Sequence, residues 1–263
     1  MKIKIFFTVI LIVFFSSCRD KKISSTYKFP YTYQGQTLYY NVTSSNTVEV
    51  TSNCPDSNRG IKGKVVIPSK ATYKGNTFSV TSIDRHAFLD CRNLTSVKIP
   101  SSVTSIDWYA FAGCTNLKDV EIPSSVTSIG WYAFSGCSSL TSIEIPPSMT
   151  SIDEWVFEDC SSLRNITIPS SVTTLGYWTF HNCSSLNSID IPSSVTYIGK
   201  GSFAGCSDID TIYSRNPYPP TIENESTFDD ISRDNTAIFV PKGSIEAYKK
   251  AVIWNQFSNI QEY

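Results

Sequence analysis

Apolar and polar positions along this chain repeat with a fixed period of 23 residues. Six cysteines and five Ile-Pro pairs keep that period, which is too regular for chance. The cysteines are Cys91, Cys114, Cys137, Cys160, Cys183 and Cys206, and the pairs begin at Ile99, Ile122, Ile145, Ile168 and Ile191. The period predicts a stack of similar structural units.

Each unit carries the pattern of one short strand. Leu117, Val120 and Ile122 are separated by charged residues, which predicts a strand with one buried face. Pro123 ends that strand, because proline cannot donate a ladder hydrogen bond. One unit cannot bury its apolar side alone, whereas stacked units form a continuous core. We therefore predict a repeat solenoid, a right-handed coil with short parallel strands about 4.8 Å apart.

Residues 23 apart should lie above one another in neighbouring coils. Phenylalanines form one such column, which contains Phe88, Phe111, Phe134, Phe157, Phe180 and Phe203. The cysteines form another, and an inward-facing column predicts free thiols that pack as small apolar side chains. Disulfides between neighbouring coils are the alternative. Cys54 lies outside the period and is expected to be buried in an N-terminal cap.

The consensus Cys-x-x-Leu-x-x-Ile-x-Ile-Pro-x-Ser-Val-Thr-x-Ile-Gly-x-x-Ala-Phe-x-Gly resembles the BspA-like, treponemal-type leucine-rich repeat of bacterial surface lipoproteins. The resemblance covers about residues 61–213. Tyr73–Ile83 is similar to the insertion of a first repeat, and Val240–Tyr248 is similar to the C-terminal cap of that family. The resemblance implies a leucine-rich-repeat coil and adhesion-like binding to host or partner proteins. It says little about the ligand, because one scaffold serves many partners.

The N-terminus has the pattern of an export signal. Lys2 and Lys4 precede an apolar run that is too short to span a membrane comfortably, and small residues lead to Cys18. This arrangement resembles a lipoprotein signal, with Cys18 as the lipid attachment site. The alternative is an ordinary signal peptide with a chance cysteine. We expect an exported protein of the cell envelope, at the outer membrane or the cell surface.

Five segments follow from these patterns. They are a lipoprotein signal peptide (1–17), a polar tether (18–29), an N-terminal β cap (30–66), leucine-rich repeats (67–213) and a C-terminal strand-helix cap (214–263). In the last segment, Ser244 is expected to N-cap a helix that begins at Ile245, with Ile245, Tyr248 and Val252 on one apolar side.

Composition excludes several functions. With 22 basic and 23 acidic residues the net charge is −1, which gives no long-range attraction to nucleic acid. Only two histidines are present, so we predict no catalytic residue, no metal site and no cofactor. The glycine-rich segment 199–205 fits neither phosphate-loop pattern, and its glycines follow the repeat.

Two sets of residues are candidates for ligand binding. Large rings precede the Ala-Phe corner of four units, where the repeat does not require them. They are Trp108, Tyr109, Trp131, Tyr132, Trp155, Tyr177 and Trp178. An exposed row of rings would suit a protein interface or a sugar-stacking surface, unless one ring of each pair simply covers the corner. Glu121 and Glu144 should stack on the exposed strand face, where a cation, a basic partner or water could compensate their charge.

We therefore expect a non-catalytic, lipid-anchored binding protein that mediates adhesion or protein–protein interaction. A glycan-binding module that uses the Trp/Tyr edge is the second hypothesis, and a purely structural envelope lipoprotein is the third. The expected partners are host or bacterial surface proteins, or glycans. Contact with a membrane is expected only through the lipid anchor.

Overall fold

A computed structural model describes residues 28–52 and 61–263. The predicted signal peptide, Cys18 and Cys54 lie outside the described residues. Short strands dominate these two ranges, and a single α-helix, α1, spans Ile245–Lys250 within them. None of the helices in this part of the chain is long and apolar enough to cross a membrane.

An antiparallel meander covers the first end of the coil. It consists of β1 (Lys28–Tyr33), β2 (Gln36–Val42) and β3 (Thr47–Thr51), each paired with the next. Gln34 and Gly35 join β1 to β2 with positive φ values of 48° and 77°. Two successive positive φ values give the turn whose twist matches a two-residue hairpin.

The first repeat carries a hairpin of its own. After β4 (Lys62–Val66), strands β5 (Lys70–Tyr73) and β6 (Asn76–Ile83) pair in antiparallel register around Gly75. This hairpin is the insertion that lengthens the first repeat. Strand β3 then pairs in parallel with β6, so the meander continues directly into the coil.

Each coil contains two strands that pair in parallel with those of neighbouring coils. The first strands are β7 (Asn93–Lys98), β9 (Asp119–Glu121), β11 (Ser142–Glu144), β13 (Asn165–Thr167), β15 (Ser188–Ile191) and β17 (Thr211–Ser214). The second strands are β8 (Ser105–Ile106), β10 (Ser128–Ile129), β12 (Ser151–Ile152), β14 (Thr174–Leu175), β16 (Tyr197–Ile198) and β18 (Thr221–Ile222). The register is the 23-residue period, with Ile129 opposite Ile106 and Ile212 opposite Ile189. The predicted parallel solenoid is confirmed, and the second strand is an addition to the predicted unit.

Parallel pairing continues beyond residue 213. Strand β17 pairs with β19 (Ala237–Val240), and β19 pairs with β20 (Asn259–Glu262). Two 3-10 turns, Glu225–Phe228 and Trp254–Gln256, complete this end. The coil geometry therefore extends into the segment that the sequence assigned to a C-terminal cap.

The short C-terminal helix begins where the sequence predicted, at Ile245, but two details of that prediction are wrong. Ser244 precedes the helix without a side-chain capping hydrogen bond. Val252, predicted on the apolar side of the helix, lies beyond its end and is 78% exposed. The helix ends early because the backbone of Ala251 is already extended, with ψ of 131°.

The phenylalanine column forms the centre of the core. Its rings are fully buried and stack from coil to coil, with centroids 4.9 Å apart for Phe88 and Phe111 and 5.8 Å apart for Phe134 and Phe157. Phe228 extends the column by one ring, 6.0 Å from Phe203. Each stacked pair contributes about 0.5–1.5 kcal/mol beyond the burial of its area.

The cysteine column lies beside the phenylalanines. All six cysteines of the column are buried and free. The Cys114 thiol donates to the carbonyl oxygen of Phe88 over 3.1 Å, and the next four thiols make the same contact one coil further on. Burial raises the pKa of Cys91 to about 12, so its thiolate is disfavoured. These thiols act as packing groups.

Candidate functional site

The predicted rings occupy one corner of the coil, directly after the second strand of each unit. We call this surface the aromatic edge and define it by Trp108, Tyr109, Trp131, Tyr132, Trp155, Tyr177 and Trp178. Its outer column contains Trp108, Trp131, Glu154 and Tyr177, and its inner column contains Tyr109, Tyr132, Trp155 and Trp178.

The rings of the aromatic edge stack on one another along the coil. Trp108 and Trp131 lie 5.1 Å apart between centroids, with planes inclined by 4°. In the inner column, Tyr132 lies 4.6 Å from Tyr109 and 4.9 Å from Trp155, with planes inclined by 6° in both pairs. In these three pairs, the facing sides of neighbouring rings therefore cover each other.

The outer and inner columns differ in exposure. Trp108, Trp131 and Tyr177 are exposed by 45%, 41% and 37%, respectively. The inner rings are half-buried against the corner. One ring of each pair thus covers the coil, as a purely structural role requires, and the other faces solvent.

The inner rings sit on a backbone conformation that disfavours them. The φ values of Tyr109, Tyr132, Trp155 and Trp178 lie between 56° and 58°, in the left-handed region. A bulky side chain pays about 1–2 kcal/mol there. The far end of the same corner has a second left-handed column, filled by Asp90, Gly113, Gly136, Asp159, Asn182 and Gly205. Those residue types suit the conformation, so the fold itself does not call for rings in the inner column.

His86 belongs to the inner column, although the sequence analysis did not place it there. Its φ is 61°, and its ring centroid lies 5.4 Å from that of Tyr109. Burial, followed by the charge of Arg85, lowers the pKa of His86. The signal was available, because His86 and Tyr109 are one period apart in the sequence.

A shallow groove runs beside the aromatic edge, over the second strands. Its first part has a volume of about 230 Å³ and lies between Glu49 and Asp153, with Trp108 as one wall. Its second part, about 250 Å³, extends from Asp153 to Tyr197. The first part lies over β6, β8 and β10 and ends where the ladder of second strands is interrupted, since β10 and β12 belong to separate sheets.

A small residue and hydroxyl groups form the floor of the groove. Gly130 lies between Asp107 and Asp153 in its column, and a Cβ atom at Gly130 would collide with the ring of Trp108. Ser105 and Ser128 line the floor on the preceding strands. The sequence did not mark Gly130, Ser105 and Ser128 as candidates for binding, because their positions match the repeat consensus.

The groove is acidic. Its charged lining residues are Glu49, Asp107, Asp153 and Glu154, and none of its lining residues is basic. Burial, followed by the charge of Asp84, raises the pKa of Glu49. The charges of two neighbouring carboxylates, Asp84 and Asp107, thus disfavour the ionised form of Glu49.

The two glutamates of the strand face have a different environment. Glu121 forms an ion pair with Lys98 at 2.7 Å, and both side chains are about half exposed. The hydrogen bond from Lys98 lowers the pKa of Glu121. Glu144 lies on the same exposed column, in β11. The charge that compensates Glu121 therefore comes from Lys98 of the same chain.

Few side chains in the described ranges are placed to bind a metal ion or to act as an acid–base pair. Within them, no group of three or more His, Cys, Asp or Glu side chains could hold a metal ion. His86 and His181 lie in different columns. His181 contacts Glu158 at 3.4 Å between Nδ1 and Oε1, beside the ring of Trp178.

A parallel coil with a 23-residue period and buried columns of leucine and phenylalanine defines a leucine-rich-repeat protein. Residues 81–210 match the model of the BspA type leucine rich repeat region in six copies. The repeat region of this chain is of the BspA type.

Several solved structures are similar to this chain. A leucine rich cell surface protein from Faecalibacterium prausnitzii A2-165 is 26% identical, with a TM-score of 0.55 over 81% of this chain and 70% of the other. A leucine-rich repeat protein from Bacteroides ovatus is 24% identical, with a TM-score of 0.38 over 86% and 75%. The T. pallidum leucine rich repeat protein is 22% identical, with a TM-score of 0.46 over 81% and 94%. Comparison with curated proteins gives no match.

Proposed function

We propose that this chain is a non-catalytic binding protein of the bacterial cell envelope, anchored by a lipid on Cys18, and that a partner protein binds the aromatic edge. The relative from F. prausnitzii is described as a cell surface protein, which supports the location. Leucine-rich-repeat coils present extended surfaces to partners, which supports the class of function.

The observation that carries the proposal is the placement of large rings where the fold disfavours them. Tyr132 and Trp155 occupy left-handed backbone, whereas the other left-handed column of the same corner is filled by Gly, Asp and Asn. Residues held in such conformations concentrate at functional sites. Trp131 adds an exposed ring beside them, and tryptophan and tyrosine are enriched at protein interfaces.

The stacking geometry favours a protein partner over a glycan. Sugars bind aromatic residues chiefly through an open ring face, but the facing sides of Trp108 and Trp131 cover each other. The same holds for Tyr109 and Tyr132. Ring edges remain accessible along the stack, and they carry positive potential and indole N–H donors that suit peptide carbonyl groups.

A binding experiment tests this function. The full chain, displayed on cells, is incubated with a panel of extracellular-matrix proteins, and bound protein is quantified. We expect binding to at least one matrix protein and a loss of about tenfold or more in the double variant Trp108→Ala/Trp131→Ala. Tyr218→Ala is the matched control, because Tyr218 is 76% exposed and does not belong to the aromatic edge. Equal binding by the double variant and the wild type would refute the site.

The proposed anchor has a separate test. Acyl chains on Cys18 would hold the chain in the membrane fraction, because two such chains suffice for stable attachment. Cys18→Ala should release the protein or leave it as an unprocessed precursor of larger mass. Unchanged size and membrane attachment would show that Cys18 is not the attachment site.

A further inference from the structure

We infer that the groove beside the aromatic edge binds an extended polypeptide segment that carries Lys or Arg at every third residue. This inference rests on the proposed function, because it specifies the chemistry of the partner at the same edge. Four independent features of the groove lead to it: its charge, the spacing of its carboxylates, its exposed donors and its size.

Charge complementarity selects a cationic occupant. Glu49, Asp107, Asp153 and Glu154 line the groove, and its lining contains no Lys or Arg. The hydrogen-bond acceptors of these carboxylates are only partly used within the chain. Asp107 accepts from the backbone N–H of Trp108 at 2.7 Å, and Asp153 accepts from Ser151 at 3.0 Å. Lys or Arg side chains would relieve the repulsion among the carboxylates.

The spacing of the carboxylates selects the period of the occupant. Asp107 and Asp153 occupy the same position two coils apart, with Gly130 between them. Two coil spacings correspond to about 10 Å. A polyproline II helix places every third side chain on the same face at intervals of about 9 Å. A segment in that conformation would align a basic side chain with each aspartate while it passes over Gly130.

The exposed hydrogen-bond donors beside the groove favour a polypeptide as its ligand. The indole N–H groups of Trp108 and Trp131 have no acceptor within the described part of the chain, and both rings are exposed. A polyproline II helix makes no internal hydrogen bonds, so its carbonyl groups are free to accept from these donors. Aromatic-lined grooves are known to bind such segments, because a polyproline II helix is already formed before it binds.

The size and shape of the groove argue against a small molecule. Its two parts measure about 230 and 250 Å³, and both are open to solvent. Sites for drug-sized ligands bury most of the ligand's surface, so side chains of an extended segment fit better than a small molecule.

A peptide titration tests the inference. The probe is a capped nonapeptide of three Arg-Pro-Pro units, titrated into the full chain while tryptophan fluorescence is recorded. The protein variant is Asp107→Asn/Asp153→Asn, in which both amides can still accept the local hydrogen bonds. Asp208→Asn/Asp234→Asn removes the same charge at two exposed positions outside the groove and is the matched control. A peptide of equal composition with three adjacent arginines tests the spacing, and three Glu-Pro-Pro units test the sign of the charge.

We expect saturable binding that weakens about tenfold in Asp107→Asn/Asp153→Asn and stays within about twofold of wild type in the control variant. The peptide with adjacent arginines should bind several-fold more weakly, and the Glu-Pro-Pro peptide should not bind. No binding of the Arg-Pro-Pro peptide, or equal affinity in the groove variant, overturns the inference. If matrix proteins still require Trp108 and Trp131 in that event, the proposed function stands and only the chemistry of the partner is wrong.

Discussion

Tyr109 and Tyr132 stack with centroids 4.6 Å apart and planes inclined by 6°, although the backbone of each is left-handed, with φ of 56° and 58°. Stacking of the two rings stabilises the fold by about 0.5–1.5 kcal/mol. This gain is close to the cost of holding one such residue in left-handed backbone. The inner column of the aromatic edge is therefore roughly neutral for folding. This balance is consistent with the binding role that we propose for these rings.

Replacing Trp155 provides a direct measure of the backbone cost. At a left-handed position glycine is better tolerated than alanine, so Trp155→Gly should be about 1 kcal/mol more stable than Trp155→Ala in urea unfolding. Trp131, which is not among the residues with positive φ, is the control. There the order should reverse, with Ala more stable than Gly. The same order at both positions would contradict the assigned backbone.

The buried phenylalanine column should dominate stability. Phe134 is fully buried between Phe111 and Phe157, so Phe134→Ala should lower the free energy of unfolding by about 3–5 kcal/mol. Trp131→Ala should cost only about 1 kcal/mol, because that ring is exposed. Chemical denaturation of the two variants makes the comparison. Similar losses of unfolding free energy in the two variants would contradict the assignment of Phe134 to the core and of Trp131 to the surface.

The cysteine column should be inert in the folded chain. Burial raises the pKa of Cys137 well above its usual value, and it also raises the pKa values of Cys114 and Cys160, so these thiols are protonated at pH 8 and shielded. We expect the six column thiols to react with a maleimide only after denaturation without reductant. Counting labelled cysteines by mass spectrometry checks this. A denatured, unreduced chain with unreactive column cysteines would indicate disulfides.

Glu49 gives the groove a characteristic dependence on pH. Because its folded-state pKa is raised, the folded chain binds more protons than the unfolded chain near that pKa, and protonation at lower pH relieves a destabilising charge. Glu49→Gln should therefore raise the unfolding midpoint at pH 7, and its advantage over wild type should shrink as the pH falls through the folded pKa. Glu144→Gln controls for loss of an acid outside the groove. A destabilised Glu49→Gln at pH 7 would refute the repulsion.

The sequence predicted the coil well because its period fixes which residues stack. Once Phe111 and Phe134 are one period apart, their contact follows from the register. The second strand was missed because Ser128 and Ile129 form a run too short to alternate. The groove was missed for another reason, since Glu49 reaches it from the meander, outside the repeat. Only folding brings Glu49 to Asp107.

The orientation of the rings was also beyond the sequence. Spacing placed Trp108 above Trp131, but it did not reveal that the two rings would stack face to face. The positive φ of Trp155 and Trp178 has no local sequence signal, because neither residue type favours it. These two features decide how the aromatic edge can be used.

Hydroxyl-radical footprinting of the full chain, with and without a bound matrix protein, tests the central claim most directly. Trp108, Trp131 and Tyr177 are exposed and oxidise readily, and Tyr218 is an exposed reference away from the aromatic edge. We predict that the partner protects the three edge residues severalfold and leaves Tyr218 unchanged. Protection of Tyr213 and Phe239 on the strand face, with unprotected Trp108 and Trp131, would contradict the account.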